Sequence, residues 1–169
     1  MRIDFEEIYN TYKDMVYNFV YWKVKDHEDA LDLSQEIFLK VYKNLKSFRE
    51  ESSLKTWIMK IAINHVKDFF KAKRNFTMEV PSDDEDQEML PELVLDDFTS
   101  IEDEIIVERA LSNLKEWERE IIVLYYMEGF EYHEIAEILG IPIGTVKSRL
   151  NAAKKSLKRV IFGGVANEK

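Results

Sequence analysis

Apolar residues recur at steps of three and four along nearly the whole chain, the period of helices that bury one face. Over residues 3–23, Phe5, Ile8, Tyr12, Met15, Val16 and Phe19 share a stripe, which predicts an amphipathic helix with an aromatic core face. Residues 25–28 interrupt the pattern, and Asp26 suits an N-cap, since its carboxylate accepts from the unpaired amides of a first turn. A second helix is expected from about Glu28 to Lys46. Ala30, Leu33, Ile37, Val41 and Leu45, with Leu31, Phe38 and Tyr42, form its apolar arc. The opposite arc holds Asp29, Asp32, Gln35, Glu36, Lys40 and Lys43. A polar loop over 47–53 contains Phe48. The next helix, over 54–75, has Leu54, Trp57, Ile58, Ile61, Ala62, Val66 and Phe69 on its buried side.

Residues 78–100 break the periodicity with two prolines and a dense acidic block, the composition of a linker. Two further helices follow over 101–114 and 116–128, with Ile105, Ile106, Leu111, Leu114, Ile121, Ile122, Leu124 and Tyr125 as their core. Gly129 ends the second. From Glu131 to Lys158, two helical patterns meet at a short turn. Ile135, Ala136 and Leu139 face inward on the first, and Gly140 stands where a left-handed backbone is needed. Pro142 fits the first turn of the second, whose amides have no helical partner. Val146, Leu150, Ala153 and Leu157 then recur at steps of four, three and four. This is a helix-turn-helix pattern.

The expected architecture is therefore all-α, with two small helical domains, 1–77 and 101–162, an acidic linker over 78–100 and a fraying tail over 163–169. Net charge changes the picture only once it is divided. The whole chain carries −9, yet 1–77 carries +2, 78–104 carries −12 and 105–169 carries +1. Local basic stripes, not the total, decide contact with nucleic acid. From 143 to 160 there are six Lys or Arg and no acid. Ser148, Asn151, Ala152, Lys155 and Arg159 lie opposite the buried stripe, with Lys147 and Lys158 at the edge. A helix that is cationic on its solvent side suits a major groove. From 40 to 75 there are ten basic and three acidic groups, interleaved with aromatics and an asparagine. That mixture suits single-stranded DNA, where bases stack and phosphates need cations. A basic helix over a core of Trp57 and Phe69 gives the same pattern. The mixed-charge arc of the second helix reads equally as a solvated face tuned to the helix dipole or as a docking face for another protein.

Several classes are excluded or disfavoured. The chain has no cysteine, so no disulfide framework or thiolate metal site exists. His27, His65 and His133 lack metal-ligand spacing, and no nucleophile–base pair stands out. No cofactor, metal or enzymatic role is expected. The acidic, amphipathic N-terminus is unlike a signal peptide, and no run approaches the ~20 apolar residues of a membrane span. The expected location is cytoplasmic.

Two motifs together carry a family resemblance. The first runs Asp32-Leu-Ser-Gln35-Glu36-Ile-Phe38, on to Phe48, then Thr56-Trp57-Ile-Met-Lys-Ile61-Ala62-Ile-Asn64. The second is Glu134-Ile135-Ala136, Gly140-Ile-Pro142 and Gly144-Thr145-Val146-Lys147-Ser148-Arg149-Leu150. In this order, separated by an acidic linker, they resemble the extracytoplasmic-function (ECF) sigma factors of bacterial RNA polymerase. The resemblance covers nearly the whole chain. It implies that Asp32, Gln35, Glu36, Phe38 and Lys40 dock on the clamp helices of the largest polymerase subunit. It implies that Phe48, Lys55, Trp57, Lys60, Asn64, Lys67, Lys71 and Arg74 open the promoter −10 element and hold its non-template strand. Thr145, Lys147, Ser148, Arg149, Asn151 and Lys155 would read the −35 element. Core RNA polymerase, promoter DNA and an anti-sigma factor are the implied partners, and an envelope or stress response the implied setting.

The chain departs from the family pattern at three positions. Many members carry an arginine or another large side chain where Asn151 and Ala152 stand, and Ala152 makes no bidentate guanine contact. Glu131 stands where Ser or Thr often caps. Two other classes stay open: a stand-alone helix-turn-helix repressor, and a sigma mimic that titrates an anti-sigma protein.

Overall fold

The computed structural model describes residues 3–73 and 101–166, with only the backbone described for 101–104 and 163–166. The acidic linker and Arg74 lie outside the described residues, as does the end of the tail. Every described regular element is helical. Contacts divide the described chain into two compact units, one of residues 3–73 with 136–140, the other of 101–135 with 141–166.

The first unit is built on three helices, α1 (Phe5–Val24), α2 (His27–Asn44) and α3 (Leu54–Lys73), each packed on the other two. Local chemistry sets their ends. The Asp4 carboxylate accepts from the Glu6 amide at 3.1 Å to start α1. Lys25 stops that helix in a left-handed conformation, φ 55°, donating its amide to the Tyr21 carbonyl at 2.7 Å. Asp26 caps α2 as expected, accepting from the Asp29 amide at 2.9 Å. A 3-10 turn, Leu45–Ser47, leads to the loop, and the Ser53 hydroxyl oxygen accepts from the Thr56 amide at 3.1 Å to open α3. Val16, Phe19 and Val20 of α1, Ala30, Ile37 and Val41 of α2, and Ile58, Met59 and Ala62 of α3 are buried together. Each large side chain so covered contributes about 1.5–3 kcal/mol, and this seam holds the unit.

The second unit contains α4 (Ile101–Ser112), α5 (Glu116–Ile122), the start of α6 (Tyr132–Leu139) as far as Ile135, and α7 (Ile143–Ala166). After α5 the chain widens into a π-helical segment, Val123–Met127, closed by the Glu128 amide on the Val123 carbonyl at 2.9 Å. The expected helix over 116–128 is thus two geometries in succession. Gly129 and Gly140 adopt φ +73° and +67°, the left-handed values that stop the preceding segments. Val146, Leu150, Ala153 and Leu157 are all buried, as the spacing predicts. α7 continues to Ala166, through the stretch expected to fray.

Two buried charges tie this unit together. The Glu118 carboxylate accepts from the Ser156 hydroxyl at 2.9 Å and from the Lys115 amide at 3.1 Å, joining α5 to α7. The Arg119 guanidinium donates to the Leu111 carbonyl at 3.4 Å, joining α5 to the end of α4. Burial lowers the Arg119 pKa, against the raising effect of Glu116.

Three assignments of the core need correction. Ile105 and Ile106 are exposed, because α4 turns other residues, Ala110 and Leu111, into the seam. Leu31 and Tyr42 are exposed, so the buried arc of α2 is narrower than the sequence suggests. On α3, Met59 and Ile63 are fully buried while Leu54, Trp57, Ile61 and Phe69 are only partly covered.

Candidate nucleic-acid and docking faces

Three helix faces carry the candidate residues. On α2, Asp32, Gln35 and Glu36 are exposed and Lys40 is partly covered. Phe38 departs from expectation. It is only 3% exposed, and its ring meets Tyr9 edge-on at 5.1 Å, so it is core rather than docking surface. The neighbouring Leu39 is 58% exposed. At 100° per residue it falls between Gln35 and Glu36 on the polar arc. Sequence reasoning missed it, although its place on the charged side of the wheel was the available signal.

On α3, Lys60, Asn64, Lys67 and Lys71 are spaced by four, three and four, which puts them on one stripe about 17 Å long. Asn64, Lys67 and Lys71 are exposed and Lys60 is half-buried. Trp57 flanks the stripe, its ring tilted against Phe48 with centroids 5.1 Å apart. Both rings are half-buried, so each keeps an accessible part while anchoring the loop. Lys55 does not join them. It sits on nearly the opposite side of the helix and is half-buried, because that side turns toward the core. The ammonium of Lys73 pairs instead with Asp29 at 3.6 Å, near the start of α2.

On α7, Asn151 is exposed at the middle of the solvent arc, with Ser148, Ala152 and Lys155 partly covered around it. Thr145 and Arg149 form one shoulder and exposed Lys147 the other. The Ser148 hydroxyl donates to the Thr145 carbonyl at 3.2 Å, which leaves its oxygen lone pairs for an incoming donor. Lys158, placed at the edge by the wheel, is buried at 7% exposure. A lysine stem can lie along apolar surface in this way. Lys154 stands over the rings of Tyr125 and Tyr126, 5.8 and 5.5 Å from their centroids. Burial draws the Lys154 pKa down, but the Tyr126 hydroxyl and the charges of the surrounding tyrosines outweigh it and the pKa is raised. Tyr132 packs on Tyr125 at 5.2 Å, and burial first, then Tyr125, raises its pKa.

The histidines are held by local partners. His27 meets the Tyr17 hydroxyl, His65 the Glu36 carboxylate at 2.6 Å, and His133 the Glu131 carboxylate at 3.3 Å. Glu131, His133 and Glu134 bring potential ligand atoms within 4.8 Å of one another at the start of α6. Glu134 there accepts from the Glu131 amide at 3.2 Å. That contact is the N3 half of a capping box, a carboxylate accepting from the N-cap amide, and not the bond to the N3 amide that Ser or Thr makes at the N-cap. Among the described residues no helix is long and apolar enough to cross a membrane.

A helix-turn-helix whose second helix has an acid-free outer arc, together with a separate basic and aromatic helix, defines a DNA-binding transcription protein. Comparison narrows this. Residues 8–76 match the Sigma-70 region 2 family and residues 104–157 match the Sigma-70, region 4 family. The chain is 32% identical over 169 residues to the ECF RNA polymerase sigma factor SigM of Bacillus subtilis (strain 168), covering 99% of this chain and 100% of the relative. It is 33% identical over 141 residues to the ECF RNA polymerase sigma-E factor of Haemophilus influenzae, covering 79% and 75%. Among solved structures it is similar to the sigma factor RpoE in complex with the anti-sigma factor NepR from Bartonella quintana. The TM-score is 0.70 at 25% identity, covering 94% of this chain and 96% of that one. CnrH, solved with the cytosolic domain of CnrY, shares the fold with a TM-score of 0.66 at 18% identity, covering 93% and 86%. The chain belongs to the ECF sigma factors of RNA polymerase, a family of transcription initiation factors rather than enzymes.

Proposed function

We propose that this protein recruits core RNA polymerase to a dedicated promoter class, in the cytoplasm and without chemistry of its own, as part of an envelope or stress response. The first domain, residues 1–77, docks on polymerase through Asp32, Gln35, Glu36 and Lys40, with Leu39 as an apolar anchor among them. Its α3 stripe of Lys60, Asn64, Lys67 and Lys71, flanked by Trp57 and Phe48, holds the non-template strand of the −10 element, with Arg74 contributing a further cation. The second domain, residues 101–162, reads the −35 duplex through Thr145, Lys147, Ser148, Arg149, Asn151 and Lys155. An anti-sigma protein holds the factor inactive, as NepR is found with the similar RpoE.

The observation that carries this reading is the stripe on α3. A stand-alone repressor has no use for a second, single-strand-type surface, and a mimic has no use for either. Run-off transcription with core polymerase on a promoter library is the test. Initiation confined to templates sharing two spaced elements is the expected result. No initiation above core polymerase alone, with specific duplex binding retained, would return the chain to the repressor class.

A further inference from the structure

The imidazole of His65 on α3 reaches across to α2 and meets the Glu36 carboxylate, Nε2 to Oε2, at 2.6 Å. The two side chains differ in their surroundings. His65 is 15% exposed and Glu36 56% exposed. The other ring nitrogen, Nδ1, is buried without a hydrogen-bond partner. A proton on Nδ1 would therefore be a buried donor with nothing to receive it, which is disfavoured. The packing selects the tautomer with the proton on Nε2, donating to Glu36. One carboxylate oxygen of Glu36 is then taken by the protein, and Oε1 is left for a partner.

We propose that His65 is a positioning residue for polymerase docking: it holds the Glu36 carboxylate in the orientation that the partner's cationic or donor group meets. The inference rests on the docking role of α2 proposed above. A glutamate on a helix surface has three rotatable bonds, and ordering it on binding costs rotamer entropy. A carboxylate already fixed by a neighbouring helix avoids most of that loss, which is how preorganisation raises affinity. The bond also ties the docking carboxylate to the strand-holding helix, one residue past Asn64. The ring does this from a nearly buried site, so it need not touch polymerase.

The test is a double-mutant cycle on the full chain, read as the affinity for core RNA polymerase by fluorescence titration, with thermal unfolding run in parallel. His65→Phe fills the same space and cannot donate. It should weaken binding about three- to tenfold, within the range of contacting pairs. His65→Gln, whose amide nitrogen stands near the position of Nε2, should recover most of the loss. In a Glu36→Ala background, His65→Phe should cost nothing more. Equal losses in both backgrounds, or no rescue by Gln, would reduce His65 to a packing residue. If Asp32→Ala and Glu36→Ala themselves leave affinity unchanged, the docking reading fails and this inference falls with it. If they weaken binding while His65→Phe does not, only this inference fails. Should His65→Phe not fold, nitrogen-detected NMR of the wild-type imidazole decides. The Nε2–H tautomer supports the proposal, and a proton on Nδ1 alone overturns it.

Discussion

Phe38 and Leu39 are adjacent in sequence and opposite in consequence. Phe38 is 3% exposed against α1, whereas Leu39 keeps 58% of its surface in water. Full burial of a leucine is worth about 1.5–3 kcal/mol. If polymerase covers the exposed share of Leu39, the gain is about 0.9–1.7 kcal/mol by the same scale. At ~1.4 kcal/mol per decade, this is about four- to fifteenfold in Kd. Leu39→Ala should lose most of that affinity. It should not destabilise the domain, because alanine is the best helix former and no cavity opens at an exposed site. Phe38→Ala should behave in reverse. It empties a packed site beside Tyr9 and should cost about 3–5 kcal/mol of folding stability. For a domain of this size that lowers the thermal midpoint by about 12 °C or more. The assay pairs a thermal melt with titration of each full-length variant against core polymerase. Wild-type affinity in Leu39→Ala would show the residue to be a stray surface leucine. A large drop in its melting temperature would show that Leu39 is packed within the folded domain.

Four further outcomes are expected. Asn151→Ala should relax preference within the −35 element by about 1–3 kcal/mol for the contacted base, and Asn64→Ala should alter preference within −10 alone. These are checked on libraries randomised in each element, and a −35 shift from Asn64→Ala would refute the division of labour. Lys155→Ala should weaken duplex binding across all sequences and reduce the salt slope by about one, measured by binding over a salt series. Glu118→Ala leaves the Ser156 hydroxyl and the Lys115 amide without their acceptor. It should cost about 1–3 kcal/mol in the second domain, read by chemical denaturation. Deleting about ten residues of the 78–100 linker should abolish initiation while both domains stay folded. At ~3.3 Å per residue the full linker spans at most roughly 75 Å, while a ~16-base-pair spacer covers about 55 Å. Run-off transcription and circular dichroism together check it.

What could be read from sequence was whatever a single helix decides for itself. The stripe Val146, Leu150, Ala153 and Leu157 is a property of one helix's period, and all four are buried. Gly140 and Asp26 act on the backbone beside them, and both do so as their residue types dictate. Features that depend on a second element were not legible. The wheel separates Phe38 from Leu39, but only the Tyr9 ring of α1 shows that the Phe38 side chain is core and not docking surface. Ile105 and Ile106 look like core until the neighbours of α4 are known. The Glu36–His65 bond joins residues 29 apart in sequence and had no local signal at all. The π-helical segment over Val123–Met127 has no signal in the apolar spacing, which reads as one helix through residue 128.

The tyrosine pair over which Lys154 stands bears on how the second domain would grip DNA in its proposed role. Of six cations on α7 between 143 and 160, Lys154 is committed to Tyr125 and Tyr126 and Lys158 is buried. At most four remain to displace counterions from phosphates: Lys147, Arg149, Lys155 and Arg159. The salt exponent of duplex binding by this helix is then no steeper than about −3.6. Proteins that search genomes alone carry far steeper exponents, about −10 for a repressor that does so. In the proposed −35 role, a helix with this shallow dependence would be held less tightly by bulk chromosomal DNA than such a repressor, and promoter residence would be settled by the assembled holoenzyme.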